Sequence, residues 1–122
     1  MFSGVDGSKH LELEGEAAGD GYGIGVSDAG DIDGDGRADL IIGAWQHASA
    51  AASGGKLYAH SGADGAPLYT VTGKVMGETL GFDTTGLGDV DGDGTVDFLV
   101  TSAWSGINGF QSGRTMVISG RN

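Results

Sequence analysis

The chain has 122 residues, enough for one compact domain and too few for two of ordinary size. Seventeen acidic residues against six basic ones give a formal net charge of −11. That balance excludes a basic surface for nucleic-acid phosphates and argues against docking onto anionic lipid. Glycine accounts for 26 residues without a Gly-X-Y period, so the chain is not collagen, and the absence of cysteine excludes disulfides and thiolate metal sites. Hydrophobic residues make up 39%, which supplies material for a core and opposes wholesale disorder. No apolar run is long enough for a transmembrane helix. The stretch from Met1 to His10 lacks the basic-then-apolar pattern of a signal peptide.

Taken in chain order, residues 1–4 and 10–14 read as two short strands around a turn at Asp6-Gly7. Residues 22–31 are a Gly-rich, apolar-containing segment that runs into an acidic loop. Residues 39–45 are apolar, β-prone and too short for a helix. An Ala/Ser/Gly loop follows over 46–54, then a strand over 56–61, a turn at Asp64-Gly65 and a strand over 68–72. The alanines of 48–52 favour helix but are few and flanked by Ser and Gly. No window carries a 3.6-residue stripe, so the expected class is all-β. Residues 81–119 then hold three further strands, because the pattern starts again.

The repetition is explicit. Asp31-Ile32-Asp33-Gly34-Asp35-Gly36 recurs as Asp89-Val90-Asp91-Gly92-Asp93-Gly94, 58 positions further on. Asp39-Leu40-Ile41-Ile42 recurs as Asp97-Phe98-Leu99-Val100, and Ser3-Gly4, Ser61-Gly62 and Ser119-Gly120 share the same phase. A period of this size denotes one supersecondary unit stacked on its neighbours. In that phase 1–21 would carry the third and fourth strands of a first unit, 22–79 a complete unit, and 80–122 the first three strands of a last one. An unfinished sheet leaves a bare edge, which invites another chain.

Asp31, Asp33, Asp35 and Asp39 occupy positions 1, 3, 5 and 9 of one loop, and Asp89, Asp91, Asp93 and Asp97 those of the other. Four carboxylates in nine residues repel one another unless a cation sits between them. The intervening glycines let alternate side chains converge, and the carbonyl at position 7, Arg37 or Thr95, can complete a cage. Hard oxygen donors on a flexible loop suit Ca²⁺, with one site per loop, and the lack of His or Cys there disfavours zinc. The first half of each loop is like an EF-hand, but position 12 is Ile42 or Val100 where an EF-hand needs Glu, and apolar strands flank the loop. The bland alternative is a solvated acidic turn without an ion; the recurrence at one phase argues against it.

These motifs resemble the FG-GAP repeats of integrin α-subunit β-propellers and their bacterial relatives. Tyr22-Gly23 and Leu80-Gly81-Phe82 stand where that family has Phe-Gly. Gly43-Ala44-Trp45 and Ser102-Ala103-Trp104 stand where it has Gly-Ala-Pro, with Trp in place of Pro. The Asp-x-Asp-x-Asp-Gly-x-x-Asp loop matches in both copies without a gap. The resemblance implies tandem four-stranded blades with calcium in the hairpin between strands one and two, and an extracellular or cell-surface setting. Propellers close with about four to eight blades, so two repeats make an incomplete one.

Other chemistry is poorly represented. His10, His47 and His60 have no spacing that suggests a metal pair or a catalytic dyad and read as surface or strand residues. There is no G-x-S-x-G elbow, Walker loop or G-x-G-x-x-G. Trp45 and Trp104 read as packing between blades in preference to sugar platforms. The expected function is a non-enzymatic, calcium-binding structural or adhesion module that self-assembles through its unpaired blade edges into a ring or filament. The alternative is a fragment of a larger secreted FG-GAP protein: an adhesin, a lectin or a non-catalytic part of an enzyme.

Overall fold

A computed structural model describes residues 1–121. It is all-β, as expected: among the described residues there is no helix. Seven strands form in order: β1 (Tyr22–Asp28), β2 (Leu40–Ala44), β3 (Lys56–His60), β4 (Pro67–Thr72), β5 (Leu80–Gly88), β6 (Asp97–Ser102) and β7 (Arg114–Ile118). They make two antiparallel sheets, β1-β2-β3-β4 (sheet I) and β5-β6-β7 (sheet II). The first strand of each sheet carries an irregularity at the same relative place, between Tyr22 and Val26 and between Leu80 and Thr84.

The sheets stack face to face. In sheet I, Ile41, Ala59 and Tyr69 are cross-strand neighbours, as are Gly43, Leu57 and Val71. Period-2 alternation places these on one face, where they meet Leu80, Phe98, Val100, Met116 and Ile118 of sheet II in a single cluster. The closest approach is backbone to backbone. A Cβ at Gly43 would lie 1.9 Å from the Gly81 carbonyl oxygen, and one at Gly25 would lie 3.0 Å from the Asp83 backbone. Trp45, Phe82 and Trp104 close one end of the junction as an aromatic cluster, the two indoles 4.7 Å apart and edge to face. This agrees with packing as their role.

The ladders also correct the alignment of the tryptophans. Tyr22 pairs with Ala44 and Leu80 with Ser102, so Trp45 corresponds to Ala103 and Trp104 to Gln46. The outer face of sheet II differs from its counterpart: Asp83 and Thr101 stand where sheet I has Gly25 and Gly43.

Residues 1–21 form no strand, contrary to the expectation for 1–4 and 10–14. They fold back as a hairpin with one isolated bridge, Phe2↔Lys9. A two-stranded ribbon is marginal in water, and no further strand flanks this one among the described residues. Its bonding nevertheless copies the β3–β4 turn. Ser3 N–H donates to the Ser8 carbonyl (2.8 Å) and Gly7 N–H to the Ser3 carbonyl (2.9 Å), as Ser61 N–H does to Ala66 and Gly65 N–H to Ser61. The bridge Phe2↔Lys9 falls 58 positions before the pair His60↔Pro67. Leu11 and Leu13, half-buried, line an apolar groove of about 450 Å³ on the other face of sheet I with Tyr22, Val26, Leu40 and Ile42.

Candidate metal centre

Each acidic loop spans the turn between the first two strands of its sheet, β1–β2 or β5–β6. In the first, carboxylate oxygens of Asp31, Asp33 and Asp39 lie within 4.8 Å of one another; in the second, those of Asp89, Asp91 and Asp97 do the same. Asp39 and Asp97 are buried at the base, while the other four are exposed.

The loops are built by a shared set of bonds. Asp31 accepts Gly34 N–H on one carboxylate oxygen (2.7 Å) and Gly36 N–H on the other (2.9 Å). Asp89 takes Gly92 and Gly94 in the same way, at 2.6 and 2.9 Å. Positive φ at Gly34 (81°) and Gly36 (87°) lets the backbone wrap the first carboxylate, a conformation disfavoured for L side chains. Asp39 Oδ2 accepts Ile32 N–H (2.7 Å), and its Oδ1 accepts Gly62 N–H from beyond β3 (3.0 Å). Asp97 repeats this with Val90 N–H (2.8 Å) and Gly120 N–H (3.3 Å).

The buried aspartate therefore ties its loop to the far end of the third strand. Sequence reasoning noticed the recurring Ser-Gly pairs but not this role. A side chain at either glycine would overlap the chain just before the aspartate: a Cβ would fall 1.8 Å from the Ala38 oxygen at Gly62 and 1.9 Å from the Val96 oxygen at Gly120.

Asp35 and Asp93, also expected as ligands, stand outside the converging sets. Asp35 Oδ1 accepts Arg37 N–H (2.8 Å), and Asp93 Oδ1 accepts both N–H (2.9 Å) and hydroxyl of Thr95. Position 5 is thus engaged in a local turn in both loops. The Thr95 bonds hold the Asp93 carboxyl below the usual carboxylate range. Arg37 and Thr95 enter these bonds through their amides, and were expected as ligands through their carbonyls.

His47 corrects the reading of the histidines. It is buried in the loop after β2. Its Nδ1 is 2.8 Å from Asp20 Oδ2 and its Nε2 is 2.8 Å from Ser49 Oγ. A carboxylate only accepts, so His47 Nδ1–H donates to Asp20. Gln46 N–H also donates to the Asp20 carbonyl at 3.0 Å. Together these bonds fasten the segment ahead of β1 to the β2–β3 loop. Spacing in sequence gave no hint, because the partners lie 27 residues apart. Replacing His47→Leu leaves the buried Asp20 carboxylate with Ala17 N–H as its remaining partner. The expected loss is about 2–3 kcal/mol in urea unfolding, with His47→Gln losing less.

An all-β pair of sheets with acidic turns between their first two strands defines the class of module. Within it, residues 26–60 match the family model of the FG-GAP repeat. The matched stretch runs from within β1, through the first acidic loop and β2, to the end of β3. Among the described residues, no helix is long and apolar enough to cross a membrane.

Proposed function

We propose that the chain is a non-enzymatic, calcium-stabilised structural or adhesion module of tandem FG-GAP-type blades that works outside the cell and associates with itself through unpaired sheet edges. One observation carries the calcium reading: two sets of three carboxylates converge within 4.8 Å, at equivalent positions of two loops that share the same internal bonds. All donors are oxygens, which suits Ca²⁺. Asp31, Asp33 and Asp39 would hold one ion and Asp89, Asp91 and Asp97 the other. Asp35, Asp93 and the carbonyls of Arg37 and Thr95 are further oxygens that the loops offer.

The electrostatics point the same way. Eight of the 17 acidic residues lie in the two loops, and two calcium ions would bring the formal charge from −11 to −7. An ion that binds only the folded chain stabilises it by about 3 kcal/mol at a hundredfold excess over Kd. For a domain of this size that corresponds to a rise in Tm on the order of 10 °C. FG-GAP repeats occur in extracellular proteins, and loops of extracellular modules bind calcium with Kd on the order of 0.1–1 mM, a range matched to that setting. The test is isothermal titration together with thermal unfolding in millimolar calcium and in EDTA. Two bound ions and the stated shift are expected; an unchanged Tm with no binding heat would remove the calcium reading.

A further inference from the structure

The acidic loops stand at one end of the two antiparallel sheets. At the other end the connections β2–β3, β4–β5 and β6–β7 enclose a cleft of about 360 Å³, within the size range of small-ligand sites. Each of its walls is an internal connection of the chain, and none belongs to the acidic loops.

Backbone strain gathers there. Ser53 (φ 48°), Thr79 (φ 58°) and Gln111 (φ 52°) are the only non-glycine residues with left-handed backbone among the described residues, and all three line this cleft. Glycine would take such a conformation at less cost. In the place equivalent to Thr79, 58 positions earlier, Gly21 does so at 66°. Ser53 and Gln111 are equivalent to each other at the same period. The strained residues are also tied together. Thr79 N–H donates to the Ser53 carbonyl (3.0 Å), and Thr79 Oγ1 accepts Trp104 N–H (3.2 Å). Side chains retained where glycine would fold more easily point to a binding role.

The lining says what would bind. Trp45, Trp104, Phe110 and Met76 supply aromatic and apolar surface. The amides of Gln46 and Gln111 and the Ser53 hydroxyl add donors and acceptors. None of the 17 acidic or six basic residues lines the cleft. An anion would meet no cation there and a net charge of −11 around it. A wholly apolar ligand would bury the amides and the hydroxyl without partners. A sugar ring meets both demands. Its C–H face lies on aromatic rings, whose faces carry partial negative charge, while its hydroxyls reach the amides.

We propose that this cleft binds a neutral saccharide, one or two rings at the end of a glycan. Trp104 and Phe110 form the stacking surface, and Gln46, Ser53 and Gln111 bond the hydroxyls. This deepens the adhesion reading above by naming the class of ligand. The indoles pack edge to face across the junction, and that packing fixes the ring the sugar meets. Thr79 is a positioning residue, because it holds the Trp104 amide.

Trp45 and Trp104 are the only tryptophans in the chain, so intrinsic fluorescence reports on the cleft directly. An array of neutral glycans screens the class in calcium, and the saccharides retained are then titrated by fluorescence. A saturable change is expected. Phe110→Ala should weaken binding about tenfold or more through lost contact area. Gln111→Gly distinguishes a ligand contact from a structural one. It relieves the strained backbone, so Tm should not fall, yet it removes a polar contact, so affinity should fall about twofold to tenfold. Retention of no neutral glycan would overturn the proposal. So would a response to choline chloride with none to any saccharide, or saccharide binding that both substitutions leave unchanged. Two bound calcium ions without glycan binding would overturn the saccharide site and leave the calcium-stabilised module standing; glycan binding without calcium binding would do the reverse.

Discussion

Asp39→Ala is expected to cost about 3–5 kcal/mol in calcium, the largest loss from any single acidic side chain outside the β5–β6 loop. The carboxylate is fully buried and accepts amide hydrogens from Ile32 and Gly62 at 2.7 and 3.0 Å, with a longer contact to Asp33 N–H at 3.4 Å. Hydrogen bonds to a charged acceptor contribute about 1.5–3 kcal/mol each, and donors left buried without a partner add a desolvation penalty. A domain of ordinary stability has about 5–15 kcal/mol in total, so the variant would stand near its unfolding threshold. The sign of the calcium dependence is part of the expectation. Without the ion, Asp39 faces Asp31 and Asp33 across less than 4.8 Å, and its removal relieves like-charge repulsion. The loss should therefore be smaller in EDTA than in calcium. Asp39→Asn keeps an acceptor for one amide while losing the charge, and belongs between wild type and Asp39→Ala in calcium. Asp97→Ala removes the same pair of bonds, the one to Gly120 longer at 3.3 Å. Urea unfolding followed by circular dichroism under both conditions tests this; a loss below about 1 kcal/mol in each would show that the buried aspartate does not organise the loop.

The loops and strands were legible in sequence for a common reason: their signals are local. Alternating aspartates separated by glycine announce a turn, and short β-branched runs announce the strands beside it. What the sequence left illegible depended on what lies across space. Asp35 looks like its neighbours in the pattern and accepts the amide two residues ahead just as Asp33 does, yet only Asp33 converges with Asp31 and Asp39. Residues 10–14 have the composition of a strand yet form none, because a ladder needs a flanking partner and Phe2↔Lys9 is the one bridge the hairpin obtains. His47 reads as a solitary histidine until the fold brings Asp20 beside it. The glycines were hardest to sort. The positive φ of Gly34 follows from the turn it serves, whereas Gly43, Gly62 and Gly120 sit where another stretch of backbone passes within reach of a missing Cβ.

Gly43→Ala follows from that last point and is the sharpest test of the junction between the sheets. The added methyl would stand 1.9 Å from the Gly81 carbonyl oxygen and 2.8 Å from its carbon, well inside van der Waals contact. Neither backbone gives way easily: Gly43 is paired with Leu57 in the middle of sheet I, and Gly81 lies in β5 at φ 82°. Overpacking a tight site costs about 1–3 kcal/mol and more where nothing flexible can move; relief here requires the sheets to part. The entropy gained by replacing glycine, roughly 0.5–1 kcal/mol, opposes this but is smaller. The expected result is a loss of at least about 3 kcal/mol. Gly4→Ala serves as a control near zero, since nothing lies within 4 Å of the added atom. The two signals should also separate. Trp45 and Trp104 touch across the junction at 4.7 Å, so tryptophan fluorescence reports whether the sheets remain docked, while far-ultraviolet dichroism reports the strands. In the wild type the two transitions should coincide. In Gly43→Ala the fluorescence change should come first, at lower urea, because the contact that fails joins two sheets whose internal ladders are intact. Coincident transitions at wild-type stability would mean that the close backbone approach does not hold the sheets together.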